Sequence, residues 1–242
     1  MTPPLLREFA QLEEFGRRPD ESTILRFRHR LEGHKLAEKI LQVVNELLTQ
    51  RGLLLKAGTA VDASLIAAPA SAKNKDKTRD PEMHSSKKGN QWYFGMKAHT
   101  GVDADSGLVH TVRGTAGHVS GIAEAHSLLH GRERVAFGDA GYQGIGNRPD
   151  ANVNIAWHVA TRPGKRKALN KENEADAMLD EAEKLKVGIR AKVAPPFRVV
   201  KRQYGFVKVR YRGLKKNTAQ LVTLFALSNV WMARGQLMGA GA

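Results

Sequence analysis

The sequence predicts a layered α/β domain, and three observations predict it. Apolar stretches of strand length are interleaved with stretches of helical periodicity along the chain. Two of the strand-like stretches run into an aspartate, at Asp62 and at Asp139. Hydrophobic residues make up 41% of 242 residues, enough to bury a full core and to exclude wholesale disorder.

Residues 20–57 read as helical. Asp20 or Ser22 caps a helix from Thr23 to about Leu31. Leu36, Ile40, Val43, Val44, Leu47 and Leu48 fall at helical spacing within Lys35 to Arg51, and Gly52 stops that helix. Arg26, Arg28, His29 and Arg30 read as a solvated face. Thr59 to Ile66 reads as a strand. Ala67 to Asn90 is rich in Lys, Ser, Asn and Asp and reads as a long loop. Its residues Lys73, Lys75, Lys77, Arg79, Lys87 and Lys88 make it either a DNA-contacting flap or a solvated loop.

Gln91 to Val102 and Leu108 to Gly114 read as a hairpin joined by the turn Asp103 to Gly107. A helix is expected over Val119 to His130, and strands over Arg134 to Phe137 and Asn154 to Ala160. Lys171 to Lys186 reads as a charged helix with Asp180, Glu181 and Glu183 on a solvated face. The stretch Pro196 to Tyr211 is basic and mixed, and Asn217 to Ala233 is an apolar helix. The expected division is an N-terminal helical segment over 1–57, the α/β domain over 58–235 and a flexible tail over 236–242.

Charge indicates the class of partner. Thirty-nine Lys and Arg stand against 24 Asp and Glu, a formal net charge of +15. A domain this basic attracts polyanions. Nucleic acid leads, and an anionic membrane surface is second. The absence of cysteine excludes disulfides, thiolate zinc sites and cysteine nucleophiles. No apolar stretch is long enough for a membrane span, and Met1 to Glu14 lacks the pattern of a signal peptide. The expected location is the cytoplasm, with DNA. His118, His126, His130 and His158 show no zinc spacing and read as structural.

Asp62 follows Ala60-Val61, and Asp139 follows Val135 to Gly138. A carboxylate beside a buried strand is costly unless it is paired or bound to a cation. Two of them on neighbouring strands would repel, and a hard divalent ion with oxygen ligands removes that repulsion. For either residue alone, an ordinary turn or cap is the better explanation of the aspartate.

Four segments carry a more specific signal: Val61 to Ile66, Lys87 to His99 (Lys-Lys-Gly-Asn-Gln-Trp-Tyr-Phe-Gly-Met-Lys-Ala-His), Gly138 to Gly144 (Gly-Asp-Ala-Gly-Tyr-Gln-Gly) and Phe197 to Tyr211. In this order they closely resemble insertion-sequence transposases of group five, within the larger group-four superfamily. The resemblance runs from about Asp20 to about Arg234. It implies an RNase H-like mixed sheet flanked by helices, preceded by a small N-terminal helical remnant. It also implies cut-and-paste DNA chemistry with two Mg²⁺ (or Mn²⁺) ions. Asp62 and Asp139 are then the first two members of a DDE triad, as metal ligands and catalytic residues. Double-stranded DNA is the implied partner, as element ends and target, and a homodimer or multimer on paired ends is the implied assembly. No membrane partner is implied.

The family's third carboxylate lies four residues after an Arg and seven before a Lys. Arg190 and Lys201 fit those places, and the carboxylate position is Ala194. The family's tyrosine position is Val187. Pro195 is expected to bias residue 194 away from helix. The chain therefore reads as an impaired transposase, or alternatively as a catalytically silent DNA-binding remnant that inhibits an intact one. An unrelated RNA-binding protein is the third reading. The stretch Met1 to Arg18 does not resemble the longer helical region of the relatives, so the chain reads as N-terminally shortened. Arg190 and Lys201 look like the family's DNA-end contacts; Lys87 and Lys88 of the basic loop, and Arg198 and Arg202 of a basic stripe, are further candidate DNA contacts. Lys97 and His99 read as DNA contacts or as a strand edge.

Overall fold

A computed structural model describes residues 19–239 except 74, 76, 150–153 and 171. The stretch 1–18 and the tip of the expected tail lie outside the described residues. The chain divides into two compact units, residues 1–36 and 37–242. In the first, α1 (Glu21–Gly33) is capped by Asp20, whose side chain accepts from Thr23 N at 2.6 Å.

In the second unit, α2 (Leu36–Gln50) buries Ala37, Leu41 and Leu48 and ends before Gly52 at φ +69°. Six strands follow: β1 (Gly58–Ala67), β2 (His84–Lys88), β3 (Gln91–Asp103), β4 (Val109–Ala116), β5 (Val135–Gly138) and β6 (Ala156–Val159). They form one mixed sheet in the order β2-β3-β1-β5-β6, with β4 also paired to β3. β1, β5 and β6 run parallel, and β3 is antiparallel to β1.

Period-two alternation along β1 divides the core between the two faces of the sheet. Ala60 and Ile66 join Met96, Ala98, Phe197, Val200, Phe206, Leu221 and Phe225. Val61 joins Ala125, Leu128, Tyr142 and Ile145. The helices complete these layers: a short α3 (Gly121–Glu124), α4 (Pro163–Lys167), α5 (Glu174–Ala191), α6 (Ala194–Arg198) and α7 (Leu214–Gly239). α7 packs on β4 and β3. Its buried Asn229 donates to Val109 O at 2.7 Å and accepts from Val109 N at 2.8 Å. The main chain at the start of β4 is satisfied in this way. A mixed sheet with helices on both faces is the α/β, RNase H-like architecture the sequence led us to expect. Among the described residues, no helix is long and apolar enough to cross a membrane.

Four local expectations need correction. The stretch read as a loop contains β2, a polar edge strand whose His-Ser-Ser-Lys-Lys sequence has no apolar alternation to reveal it. Its pairing with β3 is set by the two-residue turn Gly89-Asn90, with Gly89 at φ +60°. The helix expected over Val119 to His130 is only α3 and a 3-10 turn at His126–Leu128. Ile122, Ala125 and Leu128 recur every third residue, the period of a 3-10 helix. Ala194 is helical. Pro195 and Pro196 sit in the first turn of α6, where the missing N–H groups would have had no partner. Residues 236–239, read as flexible tail, continue α7.

Candidate active-site cleft

The parallel register of β1 and β5 places the two aspartates. Gly58 lies opposite Val135, Thr59 opposite Ala136 and Ala60 opposite Phe137. Two residues further along are Asp62, midway along β1, and Asp139, just past the end of β5, so the same register brings them level. Both line one cleft of about 560 Å³, with Ser64, Lys87, Lys88, Lys97, Tyr142, Arg190 and Ala194 among the other walls. Asp62 and Asp139 are the only carboxylates among the described residues lining it.

Each aspartate is sparsely bonded. Asp62 Oδ1 accepts from Ala63 N at 2.7 Å. Asp139 caps the 3-10 turn Ala140–Tyr142, its Oδ1 accepting from Gly141 N at 2.8 Å. Asp139 Oδ2 lies 3.8 Å from Arg190 Nη2, a long ion pair. Burial raises the Asp62 pKa above its ordinary value. The Asp139 charge adds to that rise, while the Ala63 N–H, Arg190 and Lys88 oppose it. Behind the pair, burial and both carboxylate charges raise the Tyr142 phenol, whose hydroxyl is buried without a hydrogen-bond partner. These groups favour a cation at the carboxylates.

Arg190 stands in the last turn of α5, and Ala194 opens α6 with its methyl group in the cleft wall. Lys201 lies in the π-helical turn Val199–Gln203 that continues α6. Its Nζ donates to Ser64 Oγ at 2.7 Å and to Leu65 O at 3.0 Å. Burial and Lys88 lower its pKa, and Asp62 opposes that shift. Lys201 thus ties this turn to β1 beside Asp62. Lys97 Nζ donates to Val119 O at 2.6 Å, and burial lowers its pKa.

Lys87 and Lys88 are exposed on β2 and face the cleft. Arg198 and Arg202 are exposed on the segment behind it. His99 is 0% exposed, with Nε2 at 2.7 Å from Thr115 Oγ1. Burial lowers its pKa to about 4, so it is a neutral core residue with no surface to offer a phosphate.

The other acids are held elsewhere. Asp180 and Glu183, read as solvated, are 6% and 5% exposed. Arg166 Nε donates to Asp180 at 2.6 Å and holds its pKa down. Glu183 accepts from Thr161 N and pairs with Lys186. Sequence reading also missed a cluster at the opposite end of β1. His110, His130 and Glu133 bring potential metal-ligating atoms within 4.8 Å of one another. Glu133 already accepts from Thr59 Oγ1 at 2.8 Å, Gly131 N at 2.7 Å and His130 N. The cluster satisfies the Glu133 carboxylate, while His130 Nε2, 3.4 Å from Glu133 Oε1, is buried without a hydrogen-bond partner. No sequence spacing announces it, because its residues come from β4 and from the turn before β5.

The fold and cleft therefore define a class: an RNase H-like domain with one aspartate within β1 and a second just past the end of its parallel neighbour β5. A family profile described as the transposase DDE domain matches residues 54–230. The chain belongs to the DDE-domain transposase family. No solved structure matches it.

Proposed function

We propose that this chain acts on DNA as a cut-and-paste transposase core whose chemistry is impaired at position 194. The observation that carries the reading is the level placement of Asp62 and Asp139 in a cleft walled by Lys87, Lys88, Lys97 and Arg190.

Asp62 and Asp139 would hold Mg²⁺ (or Mn²⁺), because each keeps free oxygen lone pairs and the pair needs a cation between its charges. The ion, when bound, supplies Lewis-acid activation of the attacking oxygen and stabilisation of the leaving one. The chain's cations do the rest. Lys87, Lys88 and Arg190 neutralise and position the phosphodiester. Lys201 fixes the wall beside Asp62, and Arg198 and Arg202 extend the positive surface. Ala194 offers a methyl group where the family resemblance places a glutamate, so a second ion has no ligand there. Element ends and target DNA are the proposed substrates. Residues 58–235 are proposed as the catalytic domain, the assembly as a homodimer or multimer, and the cytoplasm as the location.

One observation favours a second reading. The cleft contains no further described carboxylate to replace the one absent at Ala194. The chain would then be a silent DNA-binding form that inhibits an intact transposase. The deciding experiment incubates the chain, Ala194→Glu and Ala194→Glu/Asp62→Ala with element-end duplex and Mg²⁺ or Mn²⁺. Cleavage by Ala194→Glu alone is expected. Full cleavage by the unaltered chain would overturn the impairment. Inhibition of an intact relative by the uncleaving chain would establish the second reading.

A further inference from the structure

We propose that Trp92, at the tip of the β2–β3 hairpin, stacks on an unpaired DNA base beside the phosphate held in the cleft. The proposal rests on the DNA reading above.

The side-chain row of β3 shows why Trp92 is unusual. Trp92, Phe94, Met96 and Ala98 alternate onto one face of the sheet. Met96 and Ala98 lie opposite Ile66 and Ser64 and are buried in the main core. Phe94 packs at that core's margin. Trp92 continues the row past the core and is 70% exposed. A large indole left in water forfeits the burial that usually justifies it.

Its neighbours indicate the occupant. Lys87 pairs directly with Trp92 across the hairpin, and Lys88 with Gln91. Directly opposed residues on antiparallel strands share a face, with Cβ atoms about 5 Å apart. Lys87 and Lys88 both line the cleft, and the Lys88 charge acts on Asp62. The indole therefore stands one cross-strand step from Lys87, a lysine that lines the cleft holding both carboxylates. Tyr93 beside it is 37% exposed, and its hydroxyl donates to Gln91 Oε1 at 2.7 Å.

Lys87 stands directly opposite the ring on the ring's own face, and an ammonium group there does not suit an apolar protein partner. Ammonium groups tracking phosphates next to an aromatic face suit a nucleic-acid strand with a base turned out. The hairpin can present the ring stiffly. Its turn is two residues long, and its root is tight. A Cβ at Gly95 would fall 2.1 Å from Ile66 O.

The test uses the full chain without divalent metal, so that no cleavage enters the readout. Two probes are compared: a duplex of arbitrary sequence carrying one unpaired 2-aminopurine, and the same duplex fully paired. The unaltered chain is expected to prefer the unpaired-base probe and to quench its fluorescence. With one stacked base lost, Trp92→Ala should weaken that probe by about 10-fold and the paired duplex by less than about twofold. Trp92→Phe should restore most of the preference. Lys87→Gln should weaken both probes alike. Trp92 is exposed, so the variants should keep the melting temperature of the unaltered chain. Equal affinity and equal quenching with and without the indole would overturn the proposal while leaving DNA binding intact. Failure of the unaltered chain to bind either probe would overturn the DNA reading itself.

Discussion

Two carboxylates beside β1, Glu133 at its start and Asp62 at its middle, are held under opposite conditions. Near Thr59, Glu133 accepts hydrogen bonds from a hydroxyl and two main-chain N–H groups. Burial opposes its ionisation. The main-chain donors, Thr59 and His130 outweigh burial and lower its pKa. Three residues along the strand from Thr59, Asp62 accepts one N–H. Burial raises its pKa, with the Asp139 charge adding to the rise. The fold can saturate a buried acid, and at Glu133 it does. The sparse bonding at Asp62 is therefore a local feature of the cleft and not a limit of the fold.

The largest test of this contrast concerns chemistry at the cleft end alone. Ala194→Glu should raise metal-dependent cleavage of element-end duplex by about 100-fold or more, the scale of a ligand effect of several kcal/mol. Equal rates for both chains would show that the cleft is already complete.

The next test is a difference in sign. Glu133→Gln should lower unfolding free energy by ~1–3 kcal/mol at pH 7, because it weakens a buried network. Asp62→Asn should raise it by ~0.5–1 kcal/mol, because it removes a desolvated charge with an unfavourable neighbour. Urea denaturation of the two variants checks both. Shifts of the same sign would dissolve the comparison.

A pH series tests the two buried histidines, His110 in the Glu133 cluster and His99 on β3 opposite Ala63. Burial lowers the pKa of His110 from 6.5 to about 3 and that of His99 from 6.5 to about 4. The unfolded chain therefore binds more protons than the folded one below pH 6.5. The stability associated with these groups is fully present above pH 6.5 and is lost as pH falls towards 4 and then 3. The raised Asp62 behaves oppositely, favouring the fold at acid pH and losing that contribution as pH rises through its folded value. His99→Gln should flatten the acid limb of a plot of urea midpoint against pH. An unchanged limb would show that His99 is not the group involved.

The smallest expected effect is on ionic strength. Lys88→Gln should reduce the salt slope of DNA binding by about one, as for loss of one phosphate contact. An unchanged slope would place Lys88 off the DNA path.

Several features of this protein follow from its linear sequence. The strand-length apolar stretch Thr59 to Ile66, the cap at Asp20, the stop at Gly52 and the apolar periodicity of the last helix depend on neighbours along the chain. So did the motif segments that resembled the family. Other features depended on packing between distant segments. β2 is polar because it is an edge strand, and only pairing with β3 makes it a strand. Asp180 and Glu183 looked solvated because a sequence does not show Arg166 and Thr161 folding back onto them. His99 looked like a cleft residue because alternation gives a face without showing that Thr115 would close over it.

The sequence by itself determined the strand and helix periods, the positive charge, and a methyl group where a carboxylate was expected. Only the tertiary structure decided that Asp62 and Asp139 stand level, that no other described acid reaches them, and that Trp92 passes beyond the core. Periodicity and composition are properties of neighbours in the chain. The electrostatics of a cleft depend on which distant residues the sheet register brings together.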